Sequence, residues 1–390
     1  MSDVDESRVT IDTSDLDQWC GKPMGGGQLR EPVTVTEIRR WVQGMQYPNP
    51  LHYDDERAAQ SRFGRIVAPQ SFMVNCDIGH GSMPSVFGKI PGTHMIFGGD
   101  EWWFYGPRVF PGDQIHVDRQ HLDYKVAETK FAGPTVFGRG DNTHINQHGD
   151  AVSKQRSTSV RYLAAEARER GFFGEAAPRP EWTPDRLDAL AEQRLAWIRS
   201  GRDGTTPAFG AVDVGLELPT CPIGPHTVQS FVTEWRAFTS VVWGATRDLW
   251  SDFSGLDGGW LPEMSRDEDA AKENPQLGDG MYAGASRGHV DADAAAIIGL
   301  PRGYGYGASM GAWALNYAAY WAGDDGFVRH SNIQYRFPPF EGDASLLDAV
   351  VTEKRVDEEL GVPIVTIELT MTNQDGAVLA KGPIEVEVPS

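Results

Sequence analysis

Cysteine is scarce in this sequence, and the spacing of its cysteines argues against both a disulfide-rich fold and a structural zinc site. Cys20, Cys76 and Cys221 are the three cysteines among 390 residues, and they are odd in number and far apart. This spacing fits neither a disulfide framework nor a zinc site, and it favours a reducing compartment. No pair among the ten histidines comes with the third ligand that a metal site needs, so we expect no metal.

Positive charge and long apolar runs are also lacking. The chain has 35 Lys and Arg against 55 Asp and Glu, which gives a formal net charge of −20. A chain this acidic repels nucleic acids and anionic membranes, so neither is an expected partner. No apolar run approaches the ~18 residues of a membrane span. The acidic first residues do not resemble a signal peptide, so we expect a cytoplasmic location.

Apolar residues are plentiful, at 40% of the sequence, and 390 residues exceed what one core usually holds. Short β-type runs separated by Gly, Pro and Asp fill residues 94–162 and 333–388, and they predict antiparallel meanders. An apolar stretch over residues 309–322 predicts a buried helix. The expected units are a flexible N-terminal segment 1–30, a first domain 31–163, a helical connector 164–205 and a second domain 206–390.

The two expected domains share a repeated pattern of residues. The matches, in chain order, are His52-x-Asp54-x-x-x-Ala58 with His289-x-Asp291-x-x-x-Ala295, Phe110-Pro-Gly112-Asp113 with Phe340-Glu-Gly342-Asp343, and Asn146-Gln-His-Gly149 with Asn373-Gln-Asp-Gly376. Each match recurs roughly 230 residues later, and three matches in one order indicate a duplicated domain. In each copy helical elements precede an antiparallel sheet, which predicts an α+β fold.

The motif residues of the first copy resemble a known family. Asn49-Pro-Leu-His52, followed by Gly64-Arg-Ile-Val-Ala-Pro69, is similar to the MaoC-like dehydratases, which include the (R)-specific enoyl-CoA hydratases. The second copy, up to Gly342-Asp343, resembles the two-domain members. The resemblance covers most of residues 30–388. It implies a double hot-dog fold, in which each half is a central helix wrapped by a curved antiparallel sheet.

The resemblance also implies a chemistry. Family members add water to 2-enoyl thioesters or remove it from 3-hydroxyacyl thioesters, with no cofactor. Their motif is Asp-x-Asn-Pro-x-His, followed later by a His-Gly pair. A carboxylate and an imidazole can act together as acid and base across a C=C bond. The glycine N–H, aimed at the thioester carbonyl, stabilises the developing enolate.

The first copy departs from this motif. Asn49 and His52 match it, but Tyr47 stands at the position of the Asp, and a tyrosine with an ordinary pKa of about 10 is a weak base. Ala68-Pro69 stands at the His-Gly pair, and a proline has no N–H to donate. We therefore expect the first copy to be a poor catalyst. Its motif residues would shape a turn or contact substrate.

The second copy keeps two of the three groups. His289 matches the motif histidine, and Gly307, in Tyr304-Gly-Tyr306-Gly307, can supply the N–H. His289 is therefore the expected proton-transfer residue. Tyr304 and Tyr306 are expected to contact substrate.

The second copy lacks the motif carboxylate. Gly284 stands at the position of the Asp, and Ser286 at that of the Asn. The nearest carboxylates are Asp279, upstream of the motif, and Asp291, just after His289. Either can orient the histidine or share the proton transfer, although Asp291 can instead cap the helix that follows.

The leading hypothesis is a cofactor-independent hydro-lyase acting on an acyl-CoA. Coenzyme A is favoured over an acyl-carrier protein because the acidic chain would repel an acidic carrier. One alternative is a catalytically silent double hot-dog that binds an acyl thioester as a subunit of a heteromeric hydratase. Another is an acyl-CoA thioesterase. We expect a homodimer or pairing with a second hot-dog subunit.

Overall fold

The computed structural model describes residues 9–24, 31–76, 81–174, 178–238 and 287–390. The strands within these ranges are β1 (Pro23–Met24), β2 (Thr93–Phe104), β3 (Ile115–Thr129), β4 (Gly133–Asn146), β5 (Ala151–Leu163), β6 (Cys221–Ile223), β7 (Phe327–Tyr335), β8 (Ser345–Val356), β9 (Pro363–Asn373) and β10 (Val378–Glu387). The α-helices are α1 (Val35–Gly44), α2 (Asp55–Gln60), α3 (Ala164–Arg170), α4 (Pro184–Gly201), α5 (Val228–Ala237), α6 (Ala292–Ile297) and α7 (Gly307–Ala322).

All the described strands belong to one sheet, in the order β1-β3-β4-β5-β2-β7-β10-β9-β8-β6. The two halves of the chain join where β2 pairs antiparallel with β7, from Gly99 opposite Gln334 to Trp103 opposite His330. Gly99 permits this approach, because a Cβ there would lie 2.7 Å from the Ile333 carbonyl oxygen. The predicted antiparallel meanders are confirmed, and they continue into each other across this seam.

Helix α7 is the buried helix that the apolar stretch predicts. Nearly all of its residues are buried, and it packs against β2, β7 and β10. Its alanines and leucine favour a helix, and its C-cap is Gly323, whose φ is 71°. In the first half, the corresponding segment Gln70–Cys76 is also buried, but it has 3-10 geometry.

The duplication seen in the sequence reappears in the hydrogen bonds. Asp113 Oδ2 accepts from Phe110 N at 2.8 Å in the first half. Asp343 Oδ2 accepts from Phe340 N at 3.1 Å in the second. The two Phe-x-Gly-Asp turns therefore have the same construction, as their repeated sequence predicts.

The start of the described chain packs onto the first half. Leu16 is fully buried in a cluster with Phe87, Ile90 and Val136. β1 then pairs with β3 at the sheet edge. The expectation of a flexible segment over residues 1–30 is therefore wrong for residues 9–24, because Leu16 fills part of a core.

The stretch between the two halves contains α3 and α4. The predicted boundaries of the connector and of the two domains stay predictions. No helix in the described ranges has the length and apolar character to cross a membrane.

Candidate active site

His289 ends a 3-10 turn, Arg287–His289, immediately before α6. Its Nδ1 lies 2.6 Å from the backbone oxygen of Tyr304. A carbonyl oxygen only accepts, so Nδ1 must carry the proton and donate it. The lone pair of the neutral ring is therefore on Nε2, which is the nitrogen that can act as a base.

Two tyrosine rings enclose this imidazole. The centroids of Tyr304 and Tyr306 each lie 4.1 Å from that of His289. Burial lowers the pKa of His289 to about 4, and the hydrogen bond to the Tyr304 carbonyl opposes the shift. At neutral pH the ring is uncharged, as a general base must be before it accepts a proton.

Gly307 is the first residue of α7, directly after Tyr306. Tyr306 is the N-cap, and its side chain makes no capping hydrogen bond. The first N–H groups of a helix have no partner within the helix, and they carry its positive dipole end. A Cβ at Gly307 would lie 2.3 Å from the Phe97 Cβ, so only glycine fits here. Tyr306 thus lies between the neutral imidazole of His289 and the first N–H groups of α7.

His94 on β2 joins this site from the first half of the chain. Its Nε2 lies 3.3 Å from the Tyr304 hydroxyl oxygen. Burial lowers the pKa of His94 to about 3, with a smaller contribution from His289. Sequence reasoning missed His94 because nothing in one β-run marks it. The pairing of β2 with β7 brings it to the second copy of the motif.

Asp291 is the N-cap of α6. Its Oδ1 accepts from Asp293 N at 2.9 Å and from Ala294 N at 3.3 Å. The expected capping is confirmed, while a part for Asp291 in proton transfer stays a prediction. The positions of Asp279, Gly284 and Ser286 lie outside the described residues. Within the ranges that are described, no three His, Cys, Asp or Glu side chains form a possible metal site.

The first copy of the motif has the same histidine geometry. His52 Nδ1 lies 2.7 Å from the Val67 oxygen, and burial lowers the pKa of His52 to about 3. Tyr47 lies beside this ring, at 5.3 Å between centroids. Burial raises the pKa of Tyr47 above its ordinary value, so even less of its basic phenolate form is present at neutral pH. Asn49 shapes the turn as expected, since its Oδ1 accepts from Leu51 N.

Two equivalent backbone hydrogen bonds show which residue of the first copy corresponds to Gly307 of the second. They run from Ala68 N to Val109 O and from Gly305 N to Pro339 O, each at 2.8 Å. Ala68 is therefore equivalent to Gly305, and the next two residues, Pro69 and Gln70, correspond to Tyr306 and Gly307. The expectation that Pro69 stands at the donor position is therefore wrong. The side chain of Gln70 bonds both Val328 N and Val328 O, so it ties the two halves together.

The folded chain therefore combines a duplicated antiparallel sheet, a buried α7 and a His–Gly site at the start of that helix. A family model described as the FAS1-like dehydratase domain region matches residues 18–155. A probable enoyl-CoA hydratase alpha subunit from Thermomonospora curvata is 26% identical over 229 residues, which cover 54% of this chain and 69% of that relative.

Solved structures resemble the chain over nearly its whole length. A MaoC-like dehydratase is 18% identical, with 96% of this chain and 99% of that one covered and a TM-score of 0.60. A putative MaoC domain dehydratase from Chloroflexus aurantiacus is 12% identical, with 95% of each chain covered and a TM-score of 0.52. A Mycobacterium tuberculosis protein described as a double hot-dog is 13% identical, with 94% and 96% covered and a TM-score of 0.50.

These likenesses show the hot-dog fold, and they confirm the resemblance to MaoC-like dehydratases.

Proposed function

We propose that this chain adds water to a 2-enoyl-CoA, or removes it from a 3-hydroxyacyl-CoA, at the site around His289 and Gly307. The observation that carries this proposal is a half-buried, neutral imidazole beside a helix start whose N-cap side chain makes no capping hydrogen bond. A base and an N–H donor are what the addition of water to a conjugated thioester requires. The hydratase name of the Thermomonospora curvata relative supports the same chemistry.

In the proposed reaction, His289 Nε2 takes a proton from water as the water oxygen bonds to C3 of the enoyl group. The electron pair of the C=C bond moves towards the thioester oxygen, where the Gly307 N–H stabilises the enolate. The imidazolium then returns its proton to C2, which completes the 3-hydroxyacyl product. Asp279 or Asp291 would orient His289 or share the proton transfer.

The acyl group would lie where the two halves meet. His94 and Phe97 reach the second-half site from β2 of the first half. The first half would therefore accommodate the acyl chain while the second performs the chemistry. In this arrangement α7 is the central helix of the second hot-dog, with its first turn facing the thioester.

The matched pair His289→Ala and His52→Ala tests this assignment. His52 is buried and His289 is half-buried, and both rings donate Nδ1–H to a backbone oxygen. Hydration of a panel of 2-enoyl-CoA thioesters, followed by chromatography, should fall at least about a hundredfold in His289→Ala, as expected for loss of a general base. His52→Ala should retain most activity. Normal hydration by folded His289→Ala would refute the assignment, and release of free CoA thiol would indicate a thioesterase instead.

A second candidate function is supported by the relative's name. That relative is called an alpha subunit, and Gly284 replaces the motif carboxylate in this chain. Under this hypothesis, the chain binds an acyl thioester and pairs with a second hot-dog subunit that supplies the missing carboxylate. Activity that appears only when such a subunit is added would favour this function. Full activity of the purified chain alone would exclude it.

A further inference from the structure

Glu234 has a buried carboxyl group that takes no part in the proposed reaction. It lies on α5, and it is 1% exposed. Among the residues that the structure describes, neither of its carboxylate oxygens has a hydrogen-bond partner. A buried polar group without a partner is costly, so its presence needs an explanation.

The first half of the chain has a position equivalent to that of Glu234, and the side chain there has only a structural role. Thr34 caps α1 and Thr227 caps α5, each through its own side chain. Counting seven residues on from each cap, Glu234 corresponds to Trp41. The Trp41 Nε1 donates to Ser71 Oγ at 3.0 Å, so it is fully partnered. The duplicated fold therefore accepts an apolar side chain here, and the second half has a carboxyl group instead.

Glu234 lies beside the proposed thioester site. Phe231 and Trp235, on the same helix, both pack on the ring of Tyr306. Tyr306 in turn lies against His289. Glu234 also borders Ser309, in the first turn of α7, although the contact falls short of a hydrogen bond. The carboxyl group of Glu234 therefore lies near the first turn of α7, the helix that begins at Gly307.

The environment of Glu234 favours its uncharged form. Burial raises the pKa of this carboxyl to about 8, and the Ser309 hydroxyl opposes the shift. At neutral pH the group is then a carboxylic acid with an O–H to donate. A carboxylic acid kept neutral in this way can serve as a donor in an oxyanion hole.

We propose that Glu234 donates the second hydrogen bond to the thioester oxygen, alongside the Gly307 N–H. The inference rests on the proposed function, because it names the partner of that same oxygen. No covalent bond forms at Glu234, and its proton stays on the carboxyl as the enolate develops and collapses. A bound thioester oxygen would also give the buried O–H the partner that it lacks in the free protein.

Three variants of the full chain test this proposal. Glu234→Gln keeps the shape and an N–H donor, but the amide does not titrate. Glu234→Leu removes the donor. Asp100→Asn is the matched control, because Asp100 is another buried carboxyl with a raised pKa. Unlike Glu234, it is fully hydrogen bonded, to Tyr335 and Gln155.

The pH profile of kcat for the hydration of a 2-enoyl-CoA is the main measurement. The unmodified chain should lose activity as pH rises through about 8. This basic limb should be absent in Glu234→Gln, with kcat reduced about tenfold at neutral pH, and it should be unchanged in Asp100→Asn. Glu234→Leu should lose activity by a factor of 10²–10³, the usual effect of removing one oxyanion donor.

Stability separates this role from a structural one. Glu234→Leu replaces an unpartnered polar group with an apolar one, so its midpoint of urea unfolding should rise while its activity falls. A basic limb that persists in Glu234→Gln would overturn the inference. So would Glu234→Leu activity within a factor of two of the unmodified chain. If the unmodified chain hydrates no enoyl-CoA at all, the proposed function itself fails, which is a distinguishable result.

Discussion

His94 and His289 come from different halves of the chain, and both contact the side chain of Tyr304. His94 Nε2 lies 3.3 Å from the Tyr304 hydroxyl oxygen. The His289 ring lies 4.1 Å from the Tyr304 ring, between centroids. The duplicated halves therefore do not form two independent sites. One half contributes a histidine to the motif of the other.

This relationship predicts coupling between His94 and Tyr304. Tyr304→Phe removes the hydroxyl but keeps the ring and the backbone oxygen that holds His289. We expect kcat/KM to fall about five- to tenfold, because one hydrogen bond contributes about 1 kcal/mol. His94→Ala should have a similar effect, and the double variant should be no worse than either single one. Independent, multiplying effects of the two substitutions would show that the contact has no part in turnover.

The pKa of His289 predicts the acid side of the pH profile. The group must be neutral to act as a base, and its pKa is lowered to about 4 by burial. Hydration activity should therefore stay constant as pH falls from 7 to about 5, and then drop as the imidazole protonates near pH 4. Rates measured in overlapping buffers test this expectation. An acid limb centred near the ordinary histidine pKa of about 6.5 would contradict it.

The contact between Gly307 and Phe97 predicts a compensating pair. Gly307→Ala places a Cβ 2.3 Å from the Phe97 Cβ, so it should lower the free energy of unfolding by about 1–3 kcal/mol through overpacking. It should also reduce activity, since the start of α7 must shift. Phe97→Gly, added to Gly307→Ala, should recover part of this loss because it removes the Cβ that the new methyl group would meet. Urea unfolding of the four proteins in the cycle measures the coupling.

Asp100 predicts how stability depends on pH at the seam between the halves. Burial raises the pKa of its carboxyl from 3.8 to about 7. The folded state then holds a proton that the unfolded state has lost. The stabilisation is fully present below about pH 4 and is lost as pH rises towards 7, by at most about 1.4 kcal/mol per pH unit.

Asp100→Asn should flatten this part of the curve of unfolding free energy against pH. Urea unfolding at intervals between pH 4 and pH 8 provides the measurement. Glu234 has the same sign of shift, so some slope should remain in the variant. A curve identical to that of the unmodified chain would show that Asp100 ionises normally in the folded state.

Local patterns were sufficient to predict the regular elements and part of the site. The alternating runs predicted the meanders, and the apolar stretch predicted α7, because those periodicities reflect which face is buried. The spacing shared by His52 and His289 identified both histidines. The capping by Asp291 was also foreseeable, since an Asp before an alanine-rich segment is a common helix start.

The missed residues depend on contacts between distant parts of the chain. His94 reaches the second-half site only because β2 pairs with β7. Glu234 becomes unusual only when its helix is compared with α1, where Trp41 holds the same place. The continuity of the sheet was equally invisible, since each half predicts its own meander. The β2–β7 ladder, with its close approach at Gly99, joins them.

The direct pairing of β2 with β7 has a consequence for substrate choice. Five cross-strand residue pairs, from Gly99–Gln334 to Trp103–His330, fix one half against the other. A hinge motion between the halves would break this ladder, so the ladder holds β2, the strand that carries His94, against the second half. If the proposed function holds, the chain would not adjust to longer or shorter acyl groups by opening and closing. Its selectivity should therefore change through the side chains that line the seam, one substitution at a time.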